Sequence, residues 1–309
     1  MNFDRFNSLF QLVAYFNSDE VCRNFIKEQR WGNTIVCPYC GSTHCYTCKD
    51  GKRFKCNGCT NTFSVLVGTI FENTKISLVK WFMAMYLISS HKKGISSCQL
   101  AKDINVTQKT AWYILQKVRT LFAQNTTELV GEVECDETYI GGRESNKHES
   151  HRTEGTQGRS LKTKTAVFGM VERNGNVVAK KVENTKSTTL MPIISQFVRE
   201  GSRVFTDEYI GYKSLRDSEV FEHAFVSHKE KEFVNDDVYT NTIEGFWGQL
   251  KRMIMGVYHF VSAKYMQRYI DEAVFRYNTC YKKEGERFQR MFSNAICKFN
   301  YQQVVNMVA

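Results

Sequence analysis

The sequence predicts a multidomain α+β protein in which a small zinc ribbon and a helix-turn-helix precede a larger α/β domain with a mixed sheet and flanking helices. Three observations carry that expectation. Two Cys-x-x-Cys pairs, Cys37/Cys40 and Cys56/Cys59, stand near the N-terminus. The stretch from Gly94 to Arg119 reads as a helix, a tight turn and a second helix. From Gly131 onward the patterns run as three strands, helix, strand, helix, strand, helix.

The chain has 309 residues, more than one compact domain usually holds. Hydrophobic residues make up 42% of it, which excludes a disordered protein. A net charge of +10 favours a polyanionic partner, although a merely basic protein would show the same balance. No apolar run approaches the roughly 20 residues of a membrane span. Met1-Asn2-Phe3-Asp4-Arg5 lacks the start of a secretory signal, so a cytoplasmic, nucleoid-associated protein is expected. In that setting the 11 cysteines point to reduced thiols and metal rather than disulfides.

Residues 1–30 carry apolar positions at helical spacing (Phe6, Leu9, Phe10, Val13, Phe16, then Phe25 and Ile26) broken at Asn17-Ser18-Asp19. Two small helices follow from that pattern. The Cys pairs lie about 15 residues apart, and each pair can form a knuckle that gives two thiolates to one tetrahedral ion. Cys37, Cys40, Cys56 and Cys59 are therefore the expected zinc ligands. Cys45 and Cys48 fall on the intervening hairpin, whose return strand holds Arg53-Phe54-Lys55. Such a ribbon is as readily a structural staple as a DNA contact. A β-branched stretch, Phe63 to Ile70, leads into an apolar helix around Leu78, Trp81, Phe82 and Met85. In the helix-turn-helix pattern, Thr107 is a good N-cap for the second helix. Gln108, Lys109 and Thr110 sit where a recognition helix meets base edges and phosphates, whereas a plain helical hairpin would leave them solvated.

The second half opens on Glu132-Val133-Glu134-Cys135-Asp136-Glu137, a strand bearing carboxylates and closed by Gly141-Gly142. Taken singly, Asp136 reads as a solvated strand-end residue. Two further acids stand in matching contexts. Val204-Phe205-Thr206-Asp207 is an apolar strand ending in Asp, and Asn241-Thr242-Ile243-Glu244 opens a helix. Three carboxylates delivered by two strands and a helix can converge on Mg²⁺ or Mn²⁺, since hard cations take oxygen ligands. Lys251 follows Glu244 by seven residues, about two turns, and shares its helix face. Glu137 and Glu208 each follow an Asp and should point away from the metals, because side chains alternate along a strand. His259 and Trp247 read as packing or helix-end residues. The polar, basic stretch from Arg143 to Lys164 reads as a solvated loop that can also track a phosphate backbone. Asn174-Gly175 marks a hairpin between Thr165–Glu172 and Val177–Glu183. Thr185 or Ser187 is placed to cap the next helix. A short helix (Tyr209–Arg216), a strand near Ala224–Ser227 and helices over Met266–Tyr277 and Phe288–Phe299 complete the chain.

This order resembles the ribonuclease-H-like fold. The chain is similar to the DDE-type insertion-sequence transposases, specifically the group related to Merlin elements. The residues that carry the likeness include Cys-Pro-Tyr-Cys at 37–40 with Cys56 and Cys59, Gly68-Thr69-Ile70-Phe71-Glu72, and Asp136-Glu137-Thr138-Tyr139-Ile140-Gly141-Gly142. Gly155-Thr156-Gln157-Gly158-Arg159, Thr206-Asp207-Glu208, Asn241-Thr242-Ile243-Glu244-Gly245-Phe246-Trp247, Lys251-Arg252 and Tyr258-His259 complete it. The resemblance implies Asp136, Asp207 and Glu244 as catalytic carboxylates binding two Mg²⁺ or Mn²⁺ ions, with one structural Zn²⁺ in the ribbon. It implies Lys251 as a contact to transposon-end DNA; read from the residues alone, Lys251 is equally an ordinary solvated Lys, and Arg252 can compete for the role. The extra pair Cys45/Cys48 departs from the family's pattern.

The expected activity is a transposase that binds terminal inverted repeats and carries out metal-dependent strand cleavage and strand transfer. Its partners would be terminal-repeat and target DNA, with a homo-oligomer, dimer or larger, when two ends are paired. The alternatives are a ribonuclease-H-like nuclease or resolvase, and a catalytically silent DNA-binding regulator. The expected segments are N-terminal helices (1–30), zinc ribbon (31–72), helical region with helix-turn-helix (73–128), catalytic domain (129–260) and C-terminal helices (261–309).

Overall fold

A computed structural model describes residues 3–123, 128–142, 144–156, 158–216, 218–226 and 239–296. The chain forms two compact units, Met1–Leu121 with Tyr281–Ala309, and Phe122–Cys280.

In the first unit, α1 (Leu9–Tyr15) and α2 (Asp19–Trp31) start at Ser8 and Ser18, whose hydroxyls accept the N–H groups of Gln11 and Val21. Those caps satisfy donors that the first helical turn leaves unpaired. The helices pack with α3 (Leu78–Ser90) and α10 (Glu284–Ile296) around a core of phenylalanines. Ring centroids of Phe16 and Phe82 are 4.7 Å apart, and those of Phe25 and Phe292 5.0 Å. Gly285 is needed there, because a Cβ would collide with the carbonyl oxygen of Phe3. The packed face of α1 differs from the expected one: Leu12 is fully buried, whereas Phe10 is 83% exposed.

The ribbon is an antiparallel sheet of β1 (Cys45–Thr47), β2 (Arg53–Cys56) and β3 (Thr62–Ser64), in that order. The β-branched stretch 63–70 is extended only to Ser64 and then turns, with Gly68 at φ +74° and its N–H donated to Glu72 Oε2 at 3.0 Å. Side-chain donation from Arg30 to the Val65 and Val67 carbonyls replaces the missing ladder bonds. Helices α4 (Ser97–Asp103) and α5 (Gln108–Arg119) form the helix-turn-helix. Asn105 makes the turn at φ +50°, and Thr107 caps α5 through the Thr110 N–H.

The second unit is built on a five-stranded sheet in the order β6-β5-β4-β7-β8. Strands β4 (Glu132–Ile140), β5 (Thr165–Glu172) and β6 (Val177–Val182) are antiparallel neighbours, and β7 (Arg203–Asp207) and β8 (Glu222–Val226) continue parallel to β4. One face carries α6 (Ser187–Phe197) and α7 (Lys213–Arg216), with Val133, Cys135, Leu190, Ile194, Tyr212 and Leu215 buried between them. The other face carries α8 (Asn241–Met253) and α9 (Met266–Asn278) over Val167, Val171, Ile243 and Phe246. Alternation along β4 and β5 divides these two cores. This is the ribonuclease-H-like arrangement, with three antiparallel strands, two parallel ones and helices on both faces.

Several expectations change in detail. Neither Thr185 nor Ser187 caps α6: Lys186 occupies the cap position without a side-chain bond. The Thr185 hydroxyl instead joins Tyr139 and Tyr209, at 3.2 and 2.9 Å. The segment 261–309 is shared, because the apolar face of α9 packs on β6 while that of α10 joins the phenylalanine core of the first unit. Ser227, at the end of the strand expected near Ala224, and residues 297–299, at the end of the last expected helix, lie outside the described residues. Among the described residues no helix is long and apolar enough to cross a membrane.

Candidate functional site

Asp136 and Asp207 meet because of strand register. Strand β4 pairs with β7 through Glu132↔Arg203, Val133↔Val204 and Glu134↔Phe205, and there the ladder stops. Two residues further along each strand stand Asp136 and Asp207, side by side where the strands part. Helix α8 crosses this opening with one stripe of residues. Thr240, Glu244, Trp247, Gly248 and Lys251 line a cavity of about 430 Å³ together with Asp136, Glu137, Thr138, Arg159 and Asp207. Their spacing is that of one helix face. All three carboxylates singled out in the sequence, and Lys251, thus face one space. Arg252 is exposed and lies against Gly248 instead of lining it.

Asp136 is held by Trp247, whose Nε1–H donates to Oδ2 at 2.9 Å. Burial raises its carboxyl to about 6, the charges of Asp207 and Glu244 add to the rise, and the indole bond opposes it. Crowded negative charge of this kind favours a bound cation. The donor set is all oxygen, which suits Mg²⁺ or Mn²⁺. Asp207 accepts the N–H of Tyr209 at Oδ1, 3.0 Å, in a tight turn that ends β7.

Helix α8 is fastened by an acid that the sequence reading passed over. Glu134 is fully buried on the same face of β4 as Asp136. Its Oε2 accepts the N–H groups of Thr242 and Ile243 at 2.8 and 3.1 Å, and Oε1 accepts the Thr242 hydroxyl at 2.9 Å. Arg173 donates to the same Oε1 at 3.0 Å and pairs with Glu132 at 3.1 Å. A carboxylate at a helix N-terminus satisfies orphan donors and complements the helix dipole. The strand that bears Asp136 therefore also sets the start of the helix that bears Glu244.

In the ribbon, the sulfurs of Cys37, Cys40, Cys56 and Cys59 all lie within 4.8 Å of one another. Cys37–Cys59 and Cys40–Cys56 are each 3.6 Å apart. Tetrahedral Zn–S bonds of about 2.3 Å require sulfurs about 3.8 Å apart, so the four fit one zinc ion. The backbone N–H of Cys59 and that of Gly58, the latter at 3.2 Å, donate to the Cys56 sulfur and lower its thiol to about 6, which favours the thiolate. Cys45 opens β1 opposite Cys56, and Cys48 follows that strand, outside the set of four.

Residues 128–278 match the ISXO2-like transposase domain, and residues 17–62 match the transposase zinc-ribbon domain. A transposase-like protein of Haemophilus influenzae is 33% identical over 97 residues, which cover 31% of this chain and 76% of that one. The chain belongs to the transposase-like proteins and carries an ISXO2-like transposase domain. A protein in transposable element ISH50 of Halobacterium salinarum is 28% identical over 259 residues, 78% of this chain and 85% of its own. A solved pre-cleavage Mos1 transpososome aligns over 65% of this chain and 74% of its own at 13% identity, with a TM-score of 0.27, too low to bear on the fold.

In this ISXO2-like chain two other acids, Glu137 and Glu272, are otherwise occupied. Glu137 is on the opposite face of β4, as alternation requires, yet it reaches the rim of the cavity. There Tyr212 donates to Oε2 at 2.8 Å, Arg159 lies 3.8 Å from Oε1, and burial raises the carboxyl to about 7. Glu272 is fully buried, accepts the Tyr258 hydroxyl at 2.6 Å and pairs with Arg276 at 2.6 Å. Gln108 and Lys109 are exposed on the first turn of α5, where Gln108 Nε2 donates to Ser97 at 2.7 Å. The Thr110 hydroxyl bonds that of Thr107 at 2.9 Å. Sequence reasoning missed Glu134, Arg173 and the role of Trp247. The one signal for Glu134 was its place two residues before Asp136, on the same strand face.

Proposed function

We propose that this chain is a DDE-type transposase that binds the terminal inverted repeats of its element and catalyses divalent-metal-dependent DNA strand cleavage and strand transfer. The observation that carries the reading is the single cavity in which Asp136, Asp207, Glu244 and Lys251 meet, inside a domain of the ISXO2-like transposase family. In this reading Asp136, Asp207 and Glu244 hold two Mg²⁺ or Mn²⁺ ions. Bound there, the ions supply Lewis acidity toward a phosphodiester and lower the pKa of water.

The remaining work falls to the protein. Lys251, two turns from Glu244 on the same helix face, places an ammonium against the phosphate of the strand to be cut. Trp247 orients Asp136, and Glu134 holds the start of α8, so the carboxylates are set before DNA arrives. Arg252 extends the basic face of α8 along the backbone. Gln108, Lys109 and Thr110 begin α5 and serve end recognition, Lys109 toward phosphate and Gln108 toward a base edge. Cys37, Cys40, Cys56 and Cys59 hold one structural zinc. Residues 1–128 thus serve recognition and 129–260 the chemistry, and pairing two ends calls for a dimer or larger assembly.

The test uses an intact end that must be cut and a pre-nicked end that must only be joined. Asp136→Asn, Asp207→Asn and Glu244→Gln should each abolish both reactions while leaving end binding nearly unchanged. The three act as a unit, so their losses do not add. If Glu244→Gln still cuts and joins at normal rates, the third carboxylate is misassigned.

A further inference from the structure

A second, larger cavity of about 740 Å³ shares Asp207 and Arg159 with the carboxylate cavity. Its other walls are Glu208, Tyr209, Ile210, Lys213 and Arg216. These residues belong to the segment that follows β7 and to α7, on the sheet face opposite α8, since Tyr212 and Leu215 pack into the core of that face. Asp207 therefore stands between two spaces, one walled by the helix of Glu244 and Lys251, the other by α7.

The second space is built for an extended anion. Arg159, Lys213 and Arg216 are exposed and stand beside the carboxylates Asp207 and Glu208, with Arg159 also 3.8 Å from Glu137. With Asp207 engaged by a cation, the positive charge prevails. The Arg216 guanidinium lies 4.3 Å from the ring centroid of Phe225, which sets its direction. Helix α7 is tied to α6 through Ser187 and Ser214, at 2.6 Å. Ile210 is 76% exposed beside these cations, an apolar surface suited to a sugar or an unstacked base. Three cations around an apolar contact match a DNA strand better than a small anion, which would need one enclosed cradle.

We infer that this second cavity seats the target DNA strand, with Lys213 and Arg216 on its phosphates, while the transposon end occupies the Lys251 side. The inference rests on the transposase reading above. Strand transfer brings two DNA segments to one set of carboxylates, so two separate approaches to Asp207 are a requirement of the reaction. Lys213 and Arg216 are then target-positioning residues.

The experiment compares full-length wild type with Lys213→Ala/Arg216→Ala and the charge-keeping Lys213→Arg/Arg216→Lys. Cutting of an intact end, joining of a pre-cut end to target duplex, and capture of labelled target by the protein loaded with a pre-cut end are each measured over a salt series. The alanine variant should cut within about twofold of wild type and join about tenfold or more slowly. Its target capture should lose about one to two units of salt slope, the signature of one or two lost phosphate contacts. The charge-keeping variant should join at close to the wild-type rate. Unimpaired joining by the alanine variant overturns the proposal, and so does an equal loss of cutting and joining in a folded alanine variant. A charge-keeping variant as defective as the alanine one also overturns it, because shape and not charge would then be at stake. If the wild type neither cuts nor joins, it is the transposase reading itself that fails.

Discussion

Trp247 Nε1 and Asp136 Oδ2 are joined by a hydrogen bond of 2.9 Å, made across the gap between α8 and β4. The indole reaches that far because the residue paired with Asp136 on β5 is Gly169. A Cβ at Gly169 would stand 2.5 Å from Cη2 and 2.6 Å from Cζ2 of Trp247. A glycine on one strand thus makes room for the side chain that orients the acid on the next.

Trp247→Phe should keep most of the packing and remove the donor. A hydrogen bond to a charged group contributes about 1.5–3 kcal/mol, so cleavage should fall about 10- to 100-fold. The indole bond also lowers the Asp136 pKa, so its loss should move the acid limb of the pH–rate profile upward. A rate loss with an unmoved profile would make Trp247 a packing residue only.

Gly169→Ala should cost about 1–3 kcal/mol by overpacking against the indole. Because the strain falls on Trp247, the variant should share the pH–rate shift of Trp247→Phe. Gly169→Ala combined with Trp247→Phe should regain part of the stability, as a double-mutant cycle in thermal unfolding would show.

Glu134→Gln should destabilise the second unit by about 3 kcal/mol, since it breaks a buried ion pair with Arg173 and weakens the hold on α8. Amide exchange at Thr242 and Ile243 should quicken more than in the middle of α8. Unchanged protection at those two amides would remove Glu134 from the account of how Glu244 is placed.

Asp136 gives a pH dependence of known sign. Its folded pKa, about 6, lies above the ordinary 3.8. The folded state therefore binds the proton more tightly, and stability present below about pH 4 is lost as pH rises through 6. In metal-free protein, Asp136→Asn should be more stable than wild type at pH 7.5, by on the order of 2–3 kcal/mol, and equal to it near pH 4. Adding Mg²⁺ should stabilise wild type and not the variant. Equal melting temperatures at pH 7.5 without metal would mean that Asp136 is not electrostatically strained.

The ribbon should carry one zinc per chain by metal analysis. Cys40→Ser should release it and unfold residues 30–65 while the second unit keeps its transition. Cys45→Ser should retain the metal. Zinc that survives Cys40→Ser but not Cys45→Ser would exchange those ligands.

Local pattern was enough to read the order of the elements from Gly131 to Met253, the ribbon and the helix-turn-helix, since period-2 and period-3.6 alternation, turn residues and Cys spacing are properties of short windows. It also marked Asp136, Asp207, Glu244 and Lys251, whose types and contexts are visible singly. What only the tertiary structure decided is how those positions are coupled. That Asp136 and Asp207 are neighbours depends on the register between β4 and β7 and on the ladder ending at Glu134↔Phe205, across 71 residues of chain. The roles of Glu134, Gly169 and Trp247 depend on a helix laid over a strand more than 100 residues away in sequence. A buried Glu and an interior Gly have the same local signature whether they anchor a site or merely pack, because the partners that decide between the two are brought close only by folding.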